Sequence, residues 1–345
     1  MLQNLPPEIV LEVLRKLDPV SDRHDLLSLC YVSHAFRELA QRLLFSKFDV
    51  GIETGSSDPD TNDFAALALF TRTVILRHDL QNAVHELSVR SWNAPQLARN
   101  TLSAETLGML QIGILKLGIG DDVKASCLDK EAMSSIIKGC KSLKTLTYGA
   151  DLQIAQYIDP TPVIAAEFGK ALLCQKDNLN GLYLEFDELN GLDGRDWDPQ
   201  AALDPITSFT SLTHLQIDQR SLSDAPKLPE SLKVLQVSHC MWSVLELVRF
   251  LVKESITHLH HLNSVTISTW QLPCCEMLGM VPLWHDITEE EFYSNESVVA
   301  EFKERALELH RTAREGNFHF LARCKYYNKC ISEQLSADES SSSED

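Results

Sequence analysis

One six-residue pattern recurs six times between residues 84 and 267, and it restricts the fold more than any other feature. Each copy has large apolar residues at its first, fourth and sixth positions. Alternation between the fourth and sixth positions is the period of a β-strand with one buried face. The six copies are Val84-x-x-Leu87-x-Val89, Leu143-x-x-Leu146-x-Tyr148, Leu179-x-x-Leu182-x-Leu184, Leu212-x-x-Leu215-x-Ile217, Leu232-x-x-Leu235-x-Val237 and Leu262-x-x-Val265-x-Ile267.

Helix-like stretches lie between most copies, at 131–138, 162–174 and 244–253. This arrangement resembles a leucine-rich repeat, in which each unit has one strand and one helix and stacks on its neighbours. The resemblance implies an extended concave surface that can hold a partner. A generic α/β domain with alternating strands and helices is the alternative.

The interval of 59 residues from Val84 to Leu143 is wide enough for one more unit. Leu107-x-x-Leu110-x-Ile112 fits the pattern in this interval. The same stretch also has the periodicity of a helix, so both interpretations stay open.

The first fifty residues indicate three short amphipathic helices. Pro6 and Pro7 suit the first turn of the first helix, and Ser33 can cap the third. Ser21 or Asp22 can cap the second. At about 100° per residue, one arc of the first helix carries only apolar side chains. These are Ile9, Val10, Val13, Leu14 and Leu17.

So short a segment exposes more apolar surface than it can bury in itself, which indicates a protein partner. Its motifs occur in a fixed order: Leu-Pro-x-Glu-Ile at 5–9, a break at Leu17-Asp18, Asp-Leu-Leu at 25–27, Val-Ser-His-Ala-Phe-Arg at 32–37 and Leu-Leu-Phe at 43–45. Order, spacing and residue type resemble the F-box motif over residues 4–48. Phe36 stands where many members carry tryptophan, and both are large aromatic residues.

The resemblance implies docking on the Skp-type adaptor of a cullin–RING ubiquitin ligase. The residues that it assigns to adaptor binding are Leu5, Pro6, Ile9, Val13, Leu17, Leu26 and Val32. The protein would then be a substrate-recognition subunit whose repeat domain holds a protein substrate. The alternatives are a three-helix cap folded on its own chain, an F-box scaffold that delivers no substrate, and an enzyme with an unrecognised site.

We therefore predict an α/β protein: an N-terminal three-helix F-box, an irregular leucine-rich-repeat-like solenoid and a C-terminal helix. Asp63 can cap a helix that runs to Leu76, is apolar on most sides and is predicted to be buried. Phe318 and Phe320 alternate and indicate a short strand or a docked tail. The predicted boundaries are 1–50 for the F-box, 51–62 for a linker, 63–287 for the repeats, 288–332 for a helical cap and 333–345 for a disordered acidic tail.

The net charge of −18 disfavours nucleic acid and anionic membrane surfaces as partners. No apolar run reaches the roughly 20 residues of a membrane span, and the N-terminus lacks the pattern of a secretory leader. The nine cysteines are scattered and form no Cys-x-x-Cys pair. They are predicted to be mostly buried small apolar residues in a reducing compartment. The lack of a membrane span and of a leader pattern predicts a cytosolic or nuclear protein.

Candidate chemical sites are weak. His258, His260 and His261 are close in sequence, but no carboxylate or cysteine has metal-ligand spacing beside them. The segment 118–122 lacks the lysine and third glycine of a phosphate-binding loop. We predict no catalytic, cofactor-binding or metal site.

Overall fold

Helices alternate with parallel strands, so the fold class is α/β, as predicted. By Cα proximity the chain divides into two compact units, one of residues 1–163 with 186–191 and one of residues 164–185 with 192–345. The computed structural model describes residues 7–19, 21–51, 62–90, 112–117, 130–151, 165–187, 203, 206–222, 225–240, 243–269 and 296–324.

Three helices begin the first unit: α1 (Pro7–Leu14), α2 (Arg23–Val32) and α3 (His34–Leu44). Ser33 caps α3 as predicted, because its Oγ accepts a hydrogen bond from the Phe36 backbone N–H at 3.3 Å. Asp22 stands at the N-cap of α2, but its carboxylate accepts from the Asp18 backbone N–H at 2.8 Å and not from the helix. Asp22 therefore stabilises the turn between α1 and α2.

Four strands of the first unit pair in parallel and in chain order. They are β1 (Lys47–Gly51), β2 (Glu86–Arg90), β3 (Ile114–Leu117) and β4 (Thr145–Asp151). The helices around them are α4 (Asn62–Leu76), α5 (His78–Gln81) and α6 (Lys130–Gly139). One buried row crosses all four strands through Phe48, Leu87, Leu115 and Leu146. Of the predicted linker 51–62, Gly51 ends β1 and Asn62 begins α4, and the rest lies outside the described residues.

An additional copy of the pattern lies between Val84 and Leu143. It is Ile112-x-x-Leu115-x-Leu117, and it contains strand β3. Ile112 and Leu115 are fully buried and Leu117 is 2% exposed. Ile112 therefore occupies the first position of a copy, and the predicted frame that placed it at the sixth position is wrong. Residues 107–111 lie outside the described residues.

The described residues of the second unit contribute five more strands, whose order also follows the chain. They are β5 (Gly181–Asp187), whose last two residues belong to the first unit, β6 (His214–Asp218), β7 (Val234–Ser238), β8 (Ser264–Thr269) and β9 (His319–Cys324). Its helices are α7 (Ala165–Leu172), α8 (Leu245–Thr257) and α9 (Glu296–Arg314). A buried row runs through Leu182, Leu215, Leu235, Val265 and Phe320. The alternation at Phe318 and Phe320 thus belongs to strand β9.

The repetition extends from side chains to backbone hydrogen bonds. The residue after the first position of a copy has a carbonyl oxygen that accepts from two consecutive N–H groups of the next copy, at 2.7–3.2 Å. Among the residues that the structure describes, six carbonyls make this pair of bonds: those of Ser46, His85, Gly113, Asn180, Thr213 and Lys233. Ser46 follows Phe45, so the repetition already begins inside the N-terminal segment, with Phe45-x-x-Phe48.

Helix α4 is not buried, contrary to prediction. Its inner side chains pack well, since Phe70 stacks on Phe48 with ring centroids 3.8 Å apart and Val74 is 1% exposed. Its outer side chains Leu69 and Leu76 are 60% and 66% exposed. A helix that covers one side of a sheet buries only the face that contacts the sheet. The prediction of a buried helix was wrong because α4 also carries apolar side chains on its other face.

The cysteines that the structure describes differ in access. Cys30, Cys140 and Cys240 are buried, whereas Cys174 is exposed. Burial raises the pKa of the Cys30 thiol, partly offset by the positive charge of Arg37. Burial also raises the pKa of the Cys240 thiol, far above the usual range. Burial keeps reagents away from Cys30 and Cys240, and the raised pKa lowers the fraction of each thiol in the reactive thiolate form.

We expect iodoacetamide at neutral pH to label Cys174 in the folded protein within minutes and to leave Cys140 and Cys240 unmodified. Peptide mass spectrometry quantifies each site, and labelling in denaturant is the control that makes all of them reactive. Equal labelling of Cys240 and Cys174 under native conditions would contradict the packing of β7.

Candidate functional site

Helices α1, α2 and α3 bury one face each in a shared apolar cluster. Its centre consists of Leu14, Leu26, Cys30, Ala40 and Leu44. Partly buried side chains pack around this centre: Val10, Leu17, Leu29, Leu39, Leu43 and Phe45. The Arg37 Nε–H donates to the Cys30 carbonyl at 3.0 Å and so ties α3 to the end of α2. The three helices are thus held together without any contact from a partner.

Large apolar side chains remain exposed on the outer faces of α1 and α2. Ile9 and Val13, one helical turn apart on α1, are 50% and 59% exposed. On α2 the exposed side chains are Leu27, Tyr31 and Val32, of which Tyr31 is 84% exposed. We call these five side chains the helical patch. Exposed apolar side chains one helical turn apart, such as Ile9 and Val13 on α1 or Leu27 and Tyr31 on α2, mark interaction sites more often than isolated ones do.

The residues that the resemblance assigned to adaptor binding fall into three groups. Ile9, Val13 and Val32 belong to the helical patch. Leu17 is half-buried and Leu26 is fully buried in the cluster, so Leu26 shapes the patch only by holding α2 in place. Leu5 and Pro6 lie outside the described residues.

Leu27 and Tyr31 were not singled out from the sequence. They lie four residues apart on α2, next in sequence to Leu26 and Cys30, which point into the cluster. No signal in the sequence separates them from Leu26 and Cys30, because the four residues span only about 140° of the helix surface and could all face one core.

Charge contributes little to this surface. Residues 1–51 have six basic and seven acidic side chains, in contrast to the strong acidity of the whole chain. The ion pair between Arg15 and Glu12, with an N–O distance of 3.5 Å, is solvent-exposed, and such pairs contribute at most about 1 kcal/mol. The exposed side chains of the helical patch itself are apolar or, at Tyr31, aromatic.

A polar cluster at the carboxyl ends of β5, β6 and β7 was also missed from the sequence. The Ser238 hydroxyl donates to Asp218 Oδ1 at 3.0 Å, and His239 Nδ1 lies 3.3 Å from the same oxygen. His239 Nε2 lies 3.7 Å from Glu185 Oε1. Asp218, Ser238 and His239 are 2–7% exposed. No spacing in sequence could find this cluster, because strand register brings its residues together.

The same cluster has unusual backbone geometry, since His239 has a positive φ of 50°. Non-glycine residues adopt this left-handed conformation infrequently, although histidine is enriched among them. The turn directs the imidazole back over the neighbouring strand ends, where it contacts both carboxylates. Asp218, Ser238 and His239 are shielded from solvent and join the ends of three strands, whereas the Glu185 side chain is 29% exposed.

The described residues contain no group of three or more His, Cys, Asp or Glu side chains that could hold a metal ion. His258, His260 and His261 are all exposed at the end of α8, while the intervening Leu259 is buried. Within the described part of the chain, no helix has both the length and the apolar character needed to cross a membrane.

Comparison with known proteins gives one family. Residues 2–50 match the family model of F-box-like domains, and this segment contains the helical patch and most of β1. A search of the curated proteins found no match. An F-box-like domain implies binding to the adaptor of Skp–cullin–F-box complexes.

Proposed function

We propose that this chain is the substrate-recognition subunit of a cullin–RING ubiquitin ligase. The observation that carries the proposal is the helical patch, five exposed apolar side chains within the segment that matches the F-box-like family. The helices of this segment already have their own core, so the patch is surplus to folding. The protein itself would catalyse no bond chemistry. It would raise the effective concentration of a substrate lysine near the charged ubiquitin carrier.

The second unit would bind the substrate through one face of its strands. On that face a row of half-buried side chains crosses the strands in register: Tyr183, Gln216, Gln236, Thr266 and Leu321. Amide, hydroxyl and phenol groups offer hydrogen bonds without charge. In the first unit, by contrast, charged side chains lie on the strands. Glu86 Oε1 lies 3.7 Å from Lys47 Nζ and 2.7 Å from Lys116 Nζ. The backbone repetition supports a stacked repeat, an architecture that presents such a row to partners.

Quantitative co-purification tests the proposal. Wild-type protein is expected to bring down the adaptor together with a cullin. A double variant, Gln216→Lys with Gln236→Lys, is expected to keep both and to lose at least one further protein, whose ubiquitination also falls. Both positions are half-buried and are expected to tolerate lysine. The control is an unchanged melting temperature, which shows that the double variant is folded.

Three results would contradict the proposal. If the double variant keeps every partner of the wild type, the row on the second unit does not hold the substrate. If the wild type brings down the adaptor and cullin but no further protein, the chain is a scaffold that delivers no substrate. If neither protein brings down an adaptor, the helical patch does not dock on one.

A further inference from the structure

Exposed apolar side chains are concentrated near the start of the chain. The described residues include ten large apolar side chains that are at least 36% exposed, and eight of them lie between residues 9 and 76. Five of the eight form the helical patch. The other three, Leu69, Ile75 and Leu76, lie on α4, beyond the segment that matches the F-box-like family.

The three side chains lie on one outward arc of α4. At about 100° per residue, five exposed residues fall within roughly 120° of the helix surface. They are Ala68, Leu69, Arg72, Ile75 and Leu76. A solvated helix face is ordinarily polar, yet Arg72 is the one charged residue of this arc. We call these five residues the α4 arc.

Helix α4 is fixed to the helices that carry the patch. Phe70, on its inner face, stacks on Phe45 with ring centroids 5.7 Å apart, and Phe45 packs against the cluster of α1, α2 and α3. At the end of α4, Arg77 Nη2–H donates to Gln41 Oε1 of α3 at 3.3 Å. An aromatic stack and a polar contact therefore hold α4 in a fixed position relative to α3, and the arc is presented together with the helices that carry the patch.

We propose that the adaptor that docks on the helical patch also covers the α4 arc. This inference rests on the proposed function and extends its interface beyond the F-box-like segment. Specific interfaces bury about 800 Å² on each partner, contributed by roughly 20–30 residues. Helices of eight and ten residues, with one face already buried, supply only part of that. The contacting adaptor segment is apolar with an acidic residue opposite Arg72.

Leu69→Asp in the full chain tests the inference. The affinity for purified adaptor, measured by calorimetry, is expected to fall by about tenfold or more, because a charge would face an apolar partner surface. Ile256→Asp is the matched control, since Ile256 is 58% exposed on α8 and Leu69 is 60% exposed on α4. The control is expected to bind with wild-type affinity. Arg72→Glu is expected to weaken binding and Arg72→Lys to preserve it, which decides the matter if Leu69→Asp does not fold.

Each other outcome overturns the inference. Unchanged affinity of both Leu69→Asp and Arg72→Glu, with wild-type protein still binding, removes α4 from the interface and leaves the proposed function standing. A lower melting temperature of Leu69→Asp with unchanged affinity of Arg72→Glu means that the chain itself covers the arc. A wild-type dimer that Leu69→Asp dissociates assigns the arc to a second copy. If wild-type protein does not bind the adaptor, the proposed function fails as well.

Discussion

Ile9→Asp is expected to abolish adaptor binding without unfolding the rest of the chain. Ile9 is half-exposed on α1, so the new carboxylate stays hydrated in the free protein. In the complex the same carboxylate would be buried without a partner, which costs about 3–5 kcal/mol. That cost corresponds to a loss of affinity of roughly a hundredfold or more.

Calorimetry with purified adaptor measures this loss. Thermal melting of the full-length Ile9→Asp protein reports whether residues 63–330 stay folded. Leu26→Asp makes an informative contrast, because Leu26 is fully buried in the helical cluster and its replacement should unfold the helices. Normal affinity of Ile9→Asp would mean that the docking face is wrongly assigned.

Leu235→Asp is expected to unfold the second unit. Leu235 is fully buried and lies in register between Leu215 and Val265, so the carboxylate would meet only apolar neighbours. A buried, unpaired charge together with lost apolar packing costs about 4 kcal/mol or more, a large part of the stability of a typical domain. The expected result is insoluble protein or the loss of a cooperative transition in this unit.

The neighbouring residue supplies the control. Gln236 is half-buried on the opposite face of β7, and Gln236→Glu is expected to change the free energy of unfolding by about 0.5 kcal/mol or less. Calorimetry and limited proteolysis compare the two variants. A soluble Leu235→Asp protein that melts cooperatively at the wild-type temperature would contradict the burial of this position.

Local periodicity is sufficient to predict the strands of the six copies, which are β2 and β4 to β8. Leu215, Leu235 and Val265 are fourth-position residues of their copies, and all three are buried in one row. The cap at Ser33 is predictable for the same reason, since capping depends on neighbours within three residues. Features that depend on a short window of residues can therefore be predicted from the sequence alone.

Features that depend on distant residues cannot be predicted in this way. Leu26 and Leu27 are adjacent and chemically identical, yet one is fully buried and the other is 43% exposed, because only the position of α3 decides between them. The frame at Ile112 is ambiguous in the sequence because two apolar patterns overlap there. The contact between Asp218 and His239 requires the register of β6 against β7.

Strand β1 has a consequence for truncated proteins that lack the segment matching the F-box-like family. Its residues Lys47 to Gly51 form the hydrogen-bonding neighbour of β2, and Phe48 covers the ring of Phe70. A truncated protein that starts at residue 52 would present a bare strand edge and an uncovered aromatic ring. Bare edges recruit strands from other chains, so the truncated protein would be prone to self-association. A loss of function of the truncated protein would then not separate self-association from a loss of adaptor binding, whereas a single substitution on α1 separates the two.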